Sequence, residues 1–315
     1  MHTSLKQRCF LLRRLALGLL ALFALAPNPR PAHADTFAVS GSQILRNGSP
    51  FVIKGANVNG ASWVWSRDEV NATGTNGIKD IDLITNVWQF NAVRINCGWF
   101  TDDANFTKLY SIVDAYAGRG VVAMISMHDP APGVLVTDTS TPSLTALTDW
   151  WKKIATHYKG TANQNLVWFN IKNEAEDSAN NVQWLTMHDT ICRAIRSDVG
   201  VSNVIVCDGN YWGQEVVGST TADVTDAQSA ILTYGPQLEQ SYGNIVFSFH
   251  PYEGWNLNGT TKMANYVDRV RNVKGLPIIA GEYGMVNNWN DTTPATEALY
   301  KALTPRGVGY MVWHY

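Results

Sequence analysis

Two short apolar runs each end in a glutamate, Leu166–Glu174 (LVWFNIKNE) and Pro277–Glu282 (PIIAGE). A buried parallel strand is filled with hydrophobes, so an ionisable residue at its tip serves something other than packing. In a parallel barrel the carboxyl-terminal strand tips form the active-site face. Two carboxylates on one face suit acid/base chemistry on a glycosidic bond: one protonates the departing oxygen while the other attacks the anomeric carbon or activates water.

Other apolar runs carry chemistry at the same end: Arg94 in AVRINCGW, His128 in SMHD, Asn173 beside Glu174, His250 and Tyr252 in SFHPYEGW, and Trp313 in the last run. Singly, each has a bland reading as a structural ion-pair residue, a core histidine or a solvated loop residue. Together, on one face, they read as a site. Arg94 and Tyr252 would hold one glutamate ionised, and poorer solvation would raise the pKa of the other. A metal held by His128, His250 and a glutamate is the rival use. It lacks a local His-x-x-x-His pair and leaves Asn173, Arg94 and Trp313 unexplained, so the expectation is chemistry with no metal and no cofactor. A Ser/His/Asp hydrolase would need a Gly-x-Ser-x-Gly elbow after a strand, and none is found.

Seven of the 12 tryptophans (Trp63, Trp65, Trp99, Trp212, Trp255, Trp289, Trp313) fall at or just beyond strand tips. Aromatic faces stack on pyranose rings, so their spread suggests a cleft with several sugar subsites, Trp212 and Trp255 among its substrate contacts. Trp88, Trp150, Trp151, Trp168 and Trp184 are assigned to packing.

Positioning these residues takes eight β-rich runs, at residues 51–57, 92–98, 121–127, 166–174, 204–209, 245–252, 277–284 and 309–315. Helix-period segments separate them, such as Ile81, Ile84, Val87, Trp88 and Trp184, Met187, Ile191, Ala194, Ile195. Alternation of this kind predicts an α/β fold, a (β/α)8 TIM barrel, with crossover helices between parallel strands. A doubly wound open sheet is the alternative, without a Gly-rich phosphate loop after its first strand to support it. Before the barrel, the segment 37–52 carries Asn47-Gly48 between apolar flanks, a β-hairpin signal, and is placed as a plug for the barrel's lower end. The sequence stops at Tyr315 directly after the eighth run, so the expected barrel lacks its final helix.

At 315 residues, 45% hydrophobic and 16% charged, the chain can bury a large core. Its first 34 residues differ from the rest: Lys6, Arg8, Arg13 and Arg14, then an apolar stretch from Leu15 to Ala26, then Ala32-His33-Ala34. That order predicts a secretory signal peptide (1–34), too short in its apolar part to span a bilayer, followed by one catalytic domain (35–315) secreted to the extracellular space or periplasm, without membrane attachment. Loss of Lys6, Arg8, Arg13, Arg14 and Arg30 takes the formal charge from −2 to −7, which disfavours nucleic acid as a partner. A neutral polymer and a monomeric state fit better. Cys97, Cys192 and Cys207 remain after the signal; small buried hydrophobes are their default reading, and a Cys192–Cys207 pair is the alternative.

In these residues the chain resembles glycoside hydrolase family 5. Arg94, His128, Asn173-Glu174, His250-Pro251-Tyr252, Glu282 and Trp313 match that family's strand-tip set in order, over essentially the whole chain after residue 34. The resemblance implies a retaining double displacement with Glu174 as acid/base and Glu282 as nucleophile. It implies further that Asn173 binds the sugar 2-hydroxyl, Arg94 and Tyr252 position Glu282, His250 lines the reacting subsite and Trp313 floors it. Asn170 to Asn173, Tyr211 to Gln214 and Arg306 to Gly309 look most like the bacterial mannanase branch, which makes endo-β-1,4-mannanase the first expectation and endo-β-1,4-glucanase (cellulase) the second. A catalytically weakened carbohydrate-binding barrel and an exo-acting or transglycosylating enzyme are further readings. One departure is Lys172, which strand parity would point to the same side as Glu174, where a cation would lower the glutamate's pKa and weaken it as an acid.

Overall fold

A computed structural model describes residues 35–62, 70, 77–176, 181–216 and 218–314. The expected signal segment and the tip tryptophans Trp63 and Trp65 lie outside them.

Eight parallel strands close into a barrel: β4 (Lys54–Asn59), β5 (Ala92–Cys97), β6 (Val122–Met127), β7 (Val167–Asn170), β8 (Ile205–Asp208), β9 (Ile245–Phe249), β10 (Ile278–Ala280) and β13 (Tyr310–Val312), with β13 hydrogen-bonded between β10 and β4. Each corresponds to one of the eight apolar runs. The strands follow one another round the barrel in chain order except for two short strands, β11 (Val286–Asn287) and β12 (Asn290–Asp291), which form a hairpin in the loop after β10.

Helices cover the wall: α1 (Asp80–Asp82), α2 (Asp103–Ala117), α3 (Leu144–Tyr158), α4 (Asn181–Arg193), α5 (Ala230–Tyr242), α6 (Gly259–Asp268) and α7 (Thr293–Leu303). Short polar side chains start several of them, as the orphan amides of a helix N-terminus require: Asp102 accepts from Asn105 N, Ser143 from Ala146 N and Ser229 from Leu232 N. Trp184, Met187, Ile191, Ala194 and Ile195 are buried as their spacing predicts. The first helical stripe holds only at Ile81 and Ile84. Val87 and Trp88 are exposed, because a π-helical segment from Leu83 to Val87 changes the residue spacing and turns them off the apolar face.

Residues 37–52 form three strands rather than two: β1 (Phe37–Ser40), β2 (Gln43–Arg46) and β3 (Ser49–Pro50). The Asn47-Gly48 turn joins the second pair, with both residues at positive φ (54° and 77°). Phe37 and Phe51 meet Trp168 edge-on at 5.2 and 6.4 Å. They seal a lower core of Ile53, Val122, Met124, Leu166, Trp168, Val204, Val246 and Ile279, so the sheet closes the amino-terminal end of the barrel. Cys97, Cys192 and Cys207 are buried free thiols. Among the described residues no helix is long and apolar enough to cross a membrane.

Candidate active site

The strand tips of the carboxyl-terminal end converge on Arg94, which is fully buried on β5. Its guanidinium donates to Glu282 Oε1 at 2.6 Å, Asn173 Oδ1 at 2.6 Å, Asn57 Oδ1 at 2.9 Å, Asn170 Oδ1 at 2.9 Å and Asp208 Oδ2 at 3.1 Å. A fully desolvated cation is stable only when its donors are met by acceptors and its charge by anions, and here two carboxylates and three amide oxygens do so. The arrangement ties β4, β5, β7, β8 and the end of β10 to one hub.

Glu282 follows β10 by two residues. Arg94 holds its Oε1, and Tyr252 OH donates to its Oε2 at 3.1 Å, as expected from the sequence. Burial raises the Glu282 pKa, while His250 and Arg94 pull it back.

Glu174 is placed differently from expectation. The fourth run leaves strand geometry at Asn170, and Glu174 sits four residues further on in a left-handed turn (φ 46°). The turn is held by Gly133 N donating to Glu174 O at 2.8 Å and by Glu174 N pointing to Asp208 Oδ2 at 3.3 Å. Burial, then the nearby Asp208 charge, pushes the Glu174 pKa up to about 8, against the pull of Arg94 and Lys172. The expected acid-weakening by Lys172 is thus outweighed. Lys172 is fully buried, its Nζ donates to Asn173 O at 2.6 Å, and burial lowers its own pKa to about 8. Strand parity does not apply to Lys172, because no strand extends to residue 172.

His250 Nδ1 lies 2.9 Å from Glu174 Oε1 and 3.8 Å from Glu282 Oε2, and its Nε2 lies 3.4 Å from Asp208 Oδ2. Burial lowers its pKa, and the ring sits between the two carboxyls. It is completely buried behind them and does not line the reacting subsite as the resemblance implied. Two glycines make its niche: a Cβ on Gly213 (φ 72°) would come within 2.8 Å of the ring, and one on Gly281 would collide with Ser248 Oγ and come within 3.1 Å of Nε2.

One oxygen each of Glu174 and Glu282, with a nitrogen of His250, all lie within 4.8 Å of one another. That trio could in principle hold a cation, but Arg94 already occupies Glu282 Oε1 at 2.6 Å, so an ion would sit against a permanent positive charge. The donor set fits a carboxylate pair better than a metal centre.

A cleft of about 570 Å³ opens above the pair, lined among others by His128, Asn173, Glu174, Trp212, Tyr252, Glu282 and Trp313. His128 stacks on Trp313 (ring centroids 6.0 Å, 24° apart) and meets Asn96 Oδ1 at 3.0 Å. Burial, then Arg94, holds His128 well below the usual imidazole range. Trp212 borders the cleft half exposed. Trp255 does not reach it: its ring is buried between Phe249 and Tyr266, and its Nε1 donates to Gln214 O at 2.9 Å. A short 3-10 turn at residues 253–255 tucks it under the loop, so it is a core residue.

Asp208 is the residue that sequence reasoning missed. It is fully buried, takes Asn170 Nδ2 on Oδ1 at 2.9 Å and presents Oδ2 to Arg94, His250 and the Glu174 amide. It ends the fifth barrel strand (IVCD), so the strand-tip rule that picked out the two glutamates would have found it. Asn57, Asn96 and Asn170, polar residues inside otherwise apolar strands, carried the same signal.

Residues 45–315 match the family model described as Cellulase (glycosyl hydrolase family 5). Endoglucanase EG-II of Hypocrea jecorina is 27% identical over 176 residues, 55% of this chain and 39% of that enzyme, so the match spans well under half the length of the curated relative. Among solved structures, the catalytic domain of mannanase from Streptomyces sp. SirexAA-E superposes with a TM-score of 0.70 at 20% identity, covering 92% of this chain and 84% of that one. The beta-mannanase from Streptomyces thermolilacinus gives 0.68 at 18% identity, covering 89% and 85%. At these identities the two structures speak for the barrel fold.

Proposed function

Because this chain belongs to glycosyl hydrolase family 5, we propose that it is a secreted, retaining endo-β-1,4-glycanase whose preferred substrate is β-1,4-mannan. The observation that carries the reading is the carboxyl pair, with oxygens of Glu174 and Glu282 inside 4.8 Å of one another at the floor of a cleft. Retaining glycosidases need about 5–5.5 Å between carboxyls, and inverting ones about 6.5–9.5 Å to admit a water.

In the first step a Glu282 carboxylate oxygen bonds to the anomeric carbon while Glu174, protonated at neutral pH, gives its proton to the departing glycosidic oxygen. A glycosyl ester on Glu282 and a shortened polysaccharide result. In the second, Glu174 takes a proton from water, the resulting oxygen attacks the anomeric carbon, and Glu282 leaves as a carboxylate. Arg94 and Tyr252 stabilise the Glu282 charge that returns when the ester breaks. His250 and Asp208 orient Glu174. Asn173, fixed by Arg94 through Oδ1, donates from Nδ2 to the 2-hydroxyl of the reacting sugar, while Trp313 floors that sugar's subsite and Trp212 stacks on a neighbour.

Mannan is preferred because the runs around Asn170, Trp212 and Arg306 resemble the mannanase branch. β-1,4-Glucan is the second reading, favoured by the endoglucanase match. Export rests on the 1–34 segment, and an N-terminus at Asp35 in protein recovered from the medium checks it.

A product profile on mannan, glucomannan and carboxymethyl-cellulose in parallel tests the proposal. The expected outcome is a ladder of oligosaccharides from mannan, slower release from the glucan, and no release by Glu282→Ala. Faster release from carboxymethyl-cellulose would move the assignment to glucan. Binding without new reducing ends would make the protein a carbohydrate-binding barrel.

A further inference from the structure

The most exposed large side chain among the described hydrophobics is Trp289, at 99% of its full accessibility. It occupies the tip of the β11–β12 hairpin, where Asn287 pairs with Asn290 and leaves a two-residue turn, Asn288-Trp289. Both turn residues have positive φ, 46° and 69°. Turns of this kind favour Asn-Gly, because the second position is left-handed and a bulky side chain is strained there. A tryptophan at that position gains nothing from burial and costs backbone energy, so neither packing nor turn chemistry accounts for it.

Its surroundings give it a use. Asn287 and Asn288, the two residues before it, line the catalytic cleft. Asn287 Nδ2 also donates to Glu253 Oε2 at 2.9 Å, and Glu253 itself lines the cleft, so the base of the hairpin is fastened to the cleft wall while its tip projects into solvent. Met285 and Val286, exposed at 60% and 61%, extend the apolar surface along the same hairpin.

We propose that Trp289 is a sugar-stacking platform at a subsite remote from the scissile bond, taking a pyranose unit of a long β-1,4-linked chain that leaves the cleft over the β11–β12 hairpin. The proposal rests on the polysaccharide reading above. An indole face matches the apolar face of a pyranose, and on a pinned hairpin it meets the chain with little left to order on binding.

Trp289→Gly and Trp289→Phe separate this from a structural role. Glycine relieves the left-handed turn, so Trp289→Gly should unfold at an equal or higher temperature than the parent. Its kcat/KM on mannotriose or cellotriose should be unchanged, its KM on the corresponding hexaose should rise roughly 3- to 10-fold, the size of one aromatic stacking contact, and Trp289→Phe should recover part of the difference. The same pair of variants in a Glu282→Ala background, run through gels containing glucomannan, reads binding without turnover. Loss of retardation in Trp289→Gly supports the platform even if the parent protein proves catalytically silent. A hexaose KM unchanged from the parent's with unchanged retardation, a lowered unfolding temperature, or a dimer that dissociates on the substitution would overturn it. So would a parent protein that binds neither polysaccharide.

Discussion

Lys172 and Glu174 set the proton chemistry of the site between them. Burial and the Asp208 charge hold the Glu174 proton up to about 8, while Arg94 and Lys172 pull in the opposite direction. Removing the lysine charge should therefore raise the Glu174 pKa further. For Lys172→Met, the alkaline limb of kcat/KM is expected to move up by roughly half a pH unit from its position near 8. Absolute activity should fall as well, because the Asn173 carbonyl loses the donor at 2.6 Å that fixes the residue beside the acid. A limb that stays in place or moves to lower pH contradicts the assignment of Glu174 as the acid. Most of this centre is legible in the residue types: Arg94, Tyr252 and Glu282 stand together as expected, and Asn173 and His128 line the cleft. His250 and Asp208 are less legible. The sequence marks His250 as a strand-tip histidine but does not show that Gly213 and Gly281 wall it in behind the carboxyls. Asp208 carries the strand-tip signal, and its buried partners Arg94 and His250 show what that signal means.

At the level of elements, the eight strands announce themselves because a parallel strand buried on both faces is a nearly unbroken apolar run. The fourth strand ends at Asn170, four residues before its apolar run does. Lys172 and Asn173 lie beyond the last paired residue, Asn170, and are buried by hydrogen bonds of their side chains rather than by sheet pairing, and hydrophobicity cannot distinguish the two kinds of burial. Trp255 was misplaced for a related reason: a tryptophan after a strand tip can face the cleft or fold under the loop, and here Gln214 O captures its indole N–H. The three-stranded plug gives a test that separates scaffold from site. Phe37 is half buried against Phe51 and Trp168, so Phe37→Ala is expected to cost about 1–3 kcal/mol of stability, at or below the range for a fully buried Phe. KM should be unchanged, since the plug lies at the end of the barrel opposite the cleft. Denaturant midpoints and Michaelis constants on the same preparations check both halves, and a raised KM would show that the lower core communicates with the site.

Across the whole molecule, buried titratable groups oppose one another in their effect on stability. His128, His188 and His250 have depressed pKa values, so the folded chain lacks protons that the unfolded chain carries below about 6.5, and stability rises with pH up to that point. Glu174 and Glu215 have raised values, about 8 and about 7, so the folded chain keeps protons that the unfolded chain has already released. That contribution is present at low pH and is lost as pH rises through those values. Between pH 6.5 and 8 the histidine gain is exhausted and the glutamate loss continues. Stability should therefore decline between pH 6.5 and 8; a thermal-unfolding series in matched ionic strength checks it, and Glu215→Gln should flatten the decline. The barrel and the place of its strand-tip cleft follow from the alternation of runs. Preference between mannose and glucose does not, because it depends on loop geometry at one hydroxyl. The central claim is that the Glu174–Glu282 pair, spaced within 4.8 Å, performs a double displacement. Proton NMR of the first reducing ends released from a β-1,4-linked oligosaccharide, recorded before mutarotation, tests this most directly. A double displacement releases the β-anomer first, and an α-anomer as the initial product would rule it out.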